Sequence, residues 1–279
     1  MKYLIFGSKG QLGSKFIEIF TRSGDDFAAH DYDTCDITDL HSVINIVRAY
    51  QPAVILNCAA YNLVDEAEKN NKIAESVNFT GTQNIAVAAK ETGAFMVHYG
   101  TDYVFDGQKG SLYLETDPVN PVNEYGKSKL RGEQAVSEIL VQYLILRLSW
   151  VYGNGMQNFV HKFTDWASKN QILNITEDEF SIPTSVDLIA EATLKALDNS
   201  MTGLYHLTAS GVASRLDWAN EIIKLKGLKT EINPVPISFF NLPAKRPYNS
   251  AMSNNKISEH IGELPDWKED LKSFLSGGR

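Results

Sequence analysis

The amino-acid sequence predicts an α/β fold: a doubly wound parallel sheet with helices on both faces, followed by a smaller C-terminal substrate-binding region. Two observations predict it. Short apolar runs alternate with amphipathic stretches of helical length through the first 150 residues, the rhythm of repeated βαβ units. The first run also passes directly into a glycine-rich turn and a helix, Gly7-Ser-Lys-Gly10-Gln-Leu-Gly13.

Lys2 to Phe6 reads as the first buried strand, because its apolar run is far too short for a signal peptide. Gln11 to Arg22 then places Leu12, Phe16, Ile19 and Phe20 on one helical face. Phe27 to Asp31 is the second strand. A helix from Asp39 to Tyr50 is expected to be capped by Thr38 and to stop before Pro52. Val54 to Asn57, Phe95 to Thr101 and Leu144 to Leu148 are further apolar runs suited to buried parallel strands. Between the first two of these, Ala74 to Thr92 forms a helix that Gly93 terminates.

Beyond about Trp150 the rhythm changes. Phe159 to Ser168, Val186 to Leu197 and Leu216 to Lys226 read as helices and Leu204 to Leu207 as a strand. Proline-punctuated segments follow around Pro234, Pro236, Pro243 and Pro247. Residues 1–150 are therefore assigned to a dinucleotide-binding domain and 151–279 mainly to a substrate-binding region, with some segments returning to the first domain. No low-complexity linker separates the two parts, so they should pack together.

Composition narrows the function. Of 279 residues, 43% are hydrophobic and 22% charged, enough to bury a sizeable core and unlike a disordered chain. Lys and Arg total 26 against 34 Asp and Glu, a net charge of -8 without any basic run. That balance disfavours nucleic acid, whose affinity rests on clustered cations. No stretch approaches a membrane span. Two cysteines, Cys35 and Cys58, supply neither a disulfide framework nor a four-thiolate metal site. The six histidines lack ligand spacing, so no metal is expected. A cytoplasmic location follows from this reading.

The glycine spacing gives the turn its chemistry. Gly7 can take the tight turn, Gly10 lets the backbone approach a pyrophosphate, and Gly13 lets the helix pack closely on the strand. This is the pattern of a Rossmann-like coenzyme site. Asp31, ending the second strand, stands where an acid can accept hydrogen bonds from the adenosine ribose and repel a 2′-phosphate, which favours NADH over NADPH. Asp36 and Ile37 can border the adenine, although helix capping fits Asp36 equally well. Asn57-Cys-Ala59-Ala60-Tyr61 ends its strand in small residues that would let a dinucleotide cross the sheet edge.

Tyr125 and Lys129 lie four residues apart and so share one side of a helix. A free tyrosine has a pKa of about 10, and a nearby ammonium favours its phenolate, which predicts a tyrosine tuned toward proton transfer. Taken singly, Tyr125 fits a packing tyrosine and Lys129 a solvated helix lysine; the pair, with the glycine turn, points to catalysis beside a nicotinamide. Thr101, where its strand runs out, offers a hydroxyl to hold a substrate carbonyl, or a simple strand-end hydrogen bond.

With these residues in view, the chain resembles the dTDP-4-dehydrorhamnose reductase family of extended short-chain dehydrogenases/reductases. The resemblance runs over nearly the whole chain. Its more specific segments are Thr101-Asp-Tyr-Val-Phe105, Ser149-Trp-Val-Tyr152 and Arg246-Pro-Tyr-Asn-Ser250. It implies a Thr101, Tyr125, Lys129 triad, with Gly10, Gln11, Leu12, Asp31, Asp36, Ile37, Ala60, Tyr61 and Asn62 on the coenzyme. Thr101, Asp102 and Trp150 would touch a sugar nucleotide, although Trp150 also fits a core tryptophan, and Arg246 would pair with its diphosphate. Some members dimerise through a magnesium site built from glutamates. Here the corresponding residues are Lys15, Asp187 and Gly277, so the expectation is a monomer or a homodimer without a magnesium bridge.

The implied activity is NAD(P)H-dependent reduction of the C4 ketone of dTDP-4-dehydro-L-rhamnose to dTDP-L-rhamnose, for surface polysaccharide. A reductase or epimerase of another 4-keto nucleotide sugar is the alternative of the same class. A non-catalytic dinucleotide-binding regulatory subunit is the alternative of another class.

Overall fold

The computed structural model describes residues 1–277. Its first half follows the alternation in the sequence: β1 (Lys2–Phe6), α1 (Gln11–Ser23), β2 (Asp26–His30), α2 (Leu40–Tyr50) and β3 (Val54–Asn57). Next come α3 (Val64–Lys69), α4 (Asn71–Glu75), α5 (Thr82–Thr92), β4 (Phe95–Thr101), α6 (Glu124–Ile139) and β5 (Tyr143–Leu148). The C-terminal half contributes β6 (Val151–Tyr152), α7 (Phe159–Lys169), β7 (Ile172–Thr176), β8 (Phe180–Ser181), β9 (Thr184–Ser185) and α8 (Val186–Asp198). It ends with β10 (Gly203–His206), β11 (Ala213–Ser214), α9 (Arg215–Lys226), β12 (Glu231–Val235), α10 (Asn255–Ile261) and α11 (Trp267–Leu275).

Six parallel strands form the central sheet in the order β10-β5-β4-β3-β1-β2. The chain winds outward from β1 to β2 and then returns to place β3 on the other side of β1. That reversal opens a crevice at the carboxyl ends of β1 and β3, the place where ligands bind in such sheets.

Alternation along the strands supplies both cores. Tyr3 and Ile5 of β1 face one side, with Phe16 and Phe20 of α1 and Ile189 and Ala190 of α8. Leu4 and Phe6 face the other, with Val43 and Val47 of α2, Ile85 of α5 and Val136 of α6. A third core, around Trp150, Tyr152, Phe163, Trp218 and Trp267, lies in the cap formed beyond the sheet. Three small pairs, β7 with β12, β8 with β11 and β6 with β9, frame that cap. α8 and β10 leave it to rejoin the main sheet and its first core.

Two local expectations change. Asp39, not Thr38, caps α2, its carboxylate accepting the amide of His41 at 3.0 Å. Thr38 instead donates its amide and hydroxyl to Asp36, at 2.9 and 2.8 Å, closing a turn one step earlier. The helix expected from Ala74 begins at Asn71 and runs as a π-helix from Ser76 to Gly81 before regular geometry resumes. Its end at Gly93, φ 72°, is as expected.

Candidate active site

The turn after β1 is held by its backbone. The amides of Gly7 and Ser8 donate to the carbonyl of His30, at 2.9 and 3.1 Å, tying β1 to β2. Gly7 has φ +81°, and a Cβ there would lie 2.5 Å from the Ala59 nitrogen. A Cβ on Gly13 would lie 2.2 Å from the Gly7 carbonyl oxygen, so α1 can approach the turn only through glycine. No side chain caps α1, which leaves its first amides to an anion.

A cavity of about 720 Å³ extends from this turn along the carboxyl edge of the sheet. Gly7, Gly10, Gln11 and Leu12 line its end at the turn, and Asp31, Asp36 and Ile37 its outer end. Ala59, Ala60, Tyr61 and Asn62 form one wall, and Thr101, Tyr125, Lys129 and Trp150 close the inner end. Gly13 lies behind the turn and serves packing. Asp31 accepts the amides of Lys9 and Tyr32, at 2.7 and 2.9 Å, which fixes its carboxylate at the rim. Asp36 is committed to the turn through Thr38.

The π-helix acquires a purpose here. It places the buried Asn78 so that its amide accepts from the Tyr61 nitrogen at 2.8 Å and donates to the Tyr61 carbonyl at 2.9 Å. The same Asn78 donates to Ser128 at 3.0 Å. One side chain thus joins the wall after β3 to the helix that carries Tyr125 and Lys129.

That helix starts at the Asn123 cap, whose side chain accepts the Gly126 amide at 2.8 Å and donates to the Lys245 carbonyl at 2.8 Å. Tyr125 is half-buried, its phenol on the same end of the cavity as the Thr101 hydroxyl. Lys129 donates to the Tyr99 carbonyl at 2.6 Å. Burial drives the Tyr125 phenol up to about 12, opposed by the Thr101 hydrogen bond and reinforced by the charges of Asp102 and Glu133. The sequence reading had the ammonium favouring the phenolate; in the structure desolvation outweighs other influences, and the proton is held on Tyr125 at neutral pH. Desolvation also lowers Lys129 to about 8, while the nearby Glu133 pulls it back upward. Glu133 is itself held by Arg147, at 3.0 Å from Nε and 2.9 Å from Nη2.

Trp150 closes the inner end in an unusual conformation, φ 39° in the left-handed region. Its ring stacks on Trp218, centroids 5.6 Å apart, and its buried indole N–H has no hydrogen-bond partner among the described residues. Beyond it lies a second cavity of about 620 Å³, which shares Asn62, Tyr103 and Trp150 with the first. Two arginines line it. Arg246 is paired with Asp65 at 2.7 Å. Arg215 lies 3.7 Å over the Trp150 ring and pairs with Glu179 at 3.3 Å. Asp102 borders the first cavity, yet its carboxylate is buried on the hydroxyls of Thr101, Ser181 and Ser250.

Three site residues escaped the sequence reading. Arg215 is the first residue of α9, a common helix start, and nothing nearby in sequence marks its stacking on Trp150. Glu179 acquires its role only through Arg215. Lys9 sits inside the glycine turn, where only the fold shows its ammonium 2.6 Å from Asp33. Elsewhere, Lys15 bonds Asp187 at 3.0 Å and Glu18 at 3.2 Å. Among the described residues no group of three or more His, Cys, Asp or Glu could hold a metal ion. No helix among them is long and apolar enough to cross a membrane.

Known proteins resemble this chain along its length. The family model described as RmlD substrate binding domain matches residues 1–278. The dTDP-4-dehydrorhamnose reductase of Escherichia coli strain K12 is 36% identical, over 99% of this chain and 97% of that protein. The crystal structure of a dTDP-4-dehydrorhamnose reductase from Clostridium acetobutylicum superposes with a TM-score of 0.95 at 35% identity, covering 99% of both chains. That of the dTDP-4-dehydrorhamnose reductase from Bacillus anthracis, solved in complex with NADP, gives 0.96 at 33% identity, over 99% of this chain and all of the other.

Proposed function

The chain belongs to the dTDP-4-dehydrorhamnose reductase family, and we propose from that membership and the geometry of its cleft that it reduces the C4 ketone of dTDP-4-dehydro-L-rhamnose to dTDP-L-rhamnose. The observation that carries this reading is that the two cavities share Trp150 as a wall, with Thr101, Tyr125 and Lys129 lining the first cavity beside it. Residues 1–150 hold the coenzyme, and 151–279 mainly cover the sugar nucleotide.

The uncapped start of α1 fits a dinucleotide's pyrophosphate, and Asp31 fits its ribose. When bound, the reduced nicotinamide supplies hydride to the carbonyl carbon. Tyr125 gives its proton to the carbonyl oxygen, which becomes a stronger base than phenolate as charge develops on it. Thr101 anchors that phenol and borders the carbonyl. Lys129, anchored on the Tyr99 carbonyl, presents its remaining donors to the nicotinamide ribose. Trp150 offers its unpaired N–H to the sugar nucleotide, and Arg215 and Arg246 face its diphosphate.

NADH is the favoured coenzyme, because Asp31 and Asp33 flank the ribose end and Asp33 occupies the Lys9 ammonium. A cytoplasmic location suits a water-soluble coenzyme and substrate. The Lys15–Asp187 pair supports an assembly without a magnesium bridge, whether monomer or homodimer. The test is a panel of 4-keto nucleotide sugars assayed with both reduced coenzymes by loss of nicotinamide absorbance. Turnover of dTDP-4-dehydro-L-rhamnose to the rhamnose product is expected. Turnover of a different 4-keto sugar alone would redirect the assignment. Coenzyme binding without turnover of any ketone would make the chain a binding subunit.

A further inference from the structure

Asp102 follows Thr101 directly, in the short 3-10 turn that ends β4. It is 3% exposed, and among the described residues no lysine or arginine forms an ion pair with it. A carboxylate removed from water this way costs several kcal/mol unless other groups meet it. Here three hydroxyls do. Thr101 donates to Oδ1 at 3.2 Å, and Ser181 and Ser250 donate to Oδ2 at 2.9 and 2.5 Å. The two serines come from the cap: Ser181 ends β8, and the Ser250 amide bonds the Phe180 carbonyl at 3.0 Å.

The geometry bears on a rotor. Thr101 carries a hydroxyl and a methyl on one carbon, and its side chain can occupy more than one staggered well. Two contacts select the well seen here: the bond to Asp102 and the Tyr103 amide, which donates to the Thr101 oxygen at 3.2 Å. In that well the hydroxyl stands on the cavity wall that Tyr125 also lines, where it acts on the phenol. Turned by one well, the methyl could take its place and the phenol would lose its anchor.

We propose that Asp102 is a positioning residue: pinned from the cap by Ser181 and Ser250, it locks the Thr101 rotamer and so aims the Tyr125 hydroxyl into the pocket. A carboxylate suits the task because both oxygens accept, one serving Thr101 and the other both serines. Burial pushes its carboxyl up to about 6 against the three hydroxyls and the charge of Arg215, so at neutral pH it stays an acceptor. The cap that covers the substrate thereby reaches the proton donor through one side chain. This assignment rests on the reductase reading above.

Asp102→Leu keeps the volume and removes the carboxylate's share of the lock, leaving the Tyr103 amide alone, whereas Asp102→Asn keeps a polar partner for Thr101. With dTDP-4-dehydro-L-rhamnose, Asp102→Leu should lower kcat by about tenfold or more, the scale of a misplaced reacting group. Coenzyme Kd should stay within about twofold, since the dinucleotide end of the cleft is untouched. Asp102→Asn should recover most of the lost kcat. The decisive comparison is the double variant: in a Thr101→Val background, Asp102→Leu should lower kcat no further, because the rotor is already gone. An equal fall in that background overturns the proposal, as does an unchanged kcat in Asp102→Leu alone. If Asp102→Leu does not fold, the Ser181→Ala, Ser250→Ala pair is measured in the same two backgrounds, with the same expected and overturning results. Wild-type protein that turns over no ketone refutes the reductase reading itself, and the positioning role falls with it; wild-type turnover with additive losses refutes the positioning role alone.

Discussion

The two cavities are built by opposite means. The cleft proposed for the coenzyme relies on backbone: glycines that admit close approach, turn amides bonded to His30, and small residues after β3. The cavity proposed for the substrate relies on side chains brought from far apart, with Arg246 on Asp65 and Arg215 on Glu179 around stacked tryptophans. A backbone site tolerates almost no added volume, whereas a side-chain site loses affinity by degrees. Tyr125 should respond to neither rule, since in the proposed mechanism it acts on the reaction rather than on binding.

Tyr125→Phe, at the junction, should show the largest effect. Removing only the transferable proton should lower kcat by about 10²- to 10⁴-fold, the usual contribution of a general acid, and leave coenzyme Kd nearly unchanged. Steady-state kinetics with a coenzyme fluorescence titration measures both, and wild-type turnover would remove Tyr125 from its role. On the backbone side, Gly13→Ala must displace the turn, because its Cβ would sit 2.2 Å from the Gly7 oxygen. Overpacking of this kind costs about 1–3 kcal/mol, so coenzyme affinity should drop by about tenfold to 100-fold. Binding at wild-type strength would show that the turn is soft after all.

On the side-chain side, Arg215→Met keeps the stacking stem and removes the charge. Glu179 already answers part of that charge, so the expected rise in ketone KM is about tenfold, with kcat little altered. An unchanged KM would make Arg215 a prop for Trp150. Lys129 allows the junction to be probed by pH. Burial lowers it to about 8, so its ammonium is present at pH 7 and lost as pH rises through 8. Coenzyme affinity should therefore fall about five- to tenfold between pH 7 and 9, and a flat profile would separate Lys129 from the ribose.

The same contrast decides what the sequence could reveal. Strands β1, β3 and β4 were legible to the residue, because buried parallel strands are continuous apolar runs with sharp ends. Gly7 and Gly10 were legible because a tight turn constrains residue type locally. α2 was legible in extent but not in its cap, since Thr38 and Asp39 are both good caps and only geometry chooses. The π-helix was invisible: its register shift serves Asn78, whose partners Tyr61 and Ser128 lie 17 and 50 residues away. Arg215 was equally hidden, as its stacking partner Trp150 belongs to a different element. The state of Tyr125 could not be read either, because the depth of burial that outweighs other influences on the phenol is a property of the packed fold.

The smallest effect lies at the outer rim of the coenzyme cleft, where the backbone rule gives way to side chains. Lys9 is a cation beside the ribose end, and Asp33 holds its ammonium at 2.6 Å. Asp31 is committed to the Lys9 and Tyr32 amides, so its charge stays in place whatever Lys9 does. A 2′-phosphate arriving here meets two carboxylates and a lysine already engaged. Asp33→Asn removes one carboxylate and frees the lysine, and both changes favour NADPH. Because the pair is exposed and screened, the expected rise in the NADPH:NADH ratio of kcat/KM is modest, about threefold, and it should shrink as salt is added. A ratio that does not move would assign coenzyme choice to Asp31 alone; a much larger rise would mean that the rim, like the substrate cavity, is governed by its side-chain pairs.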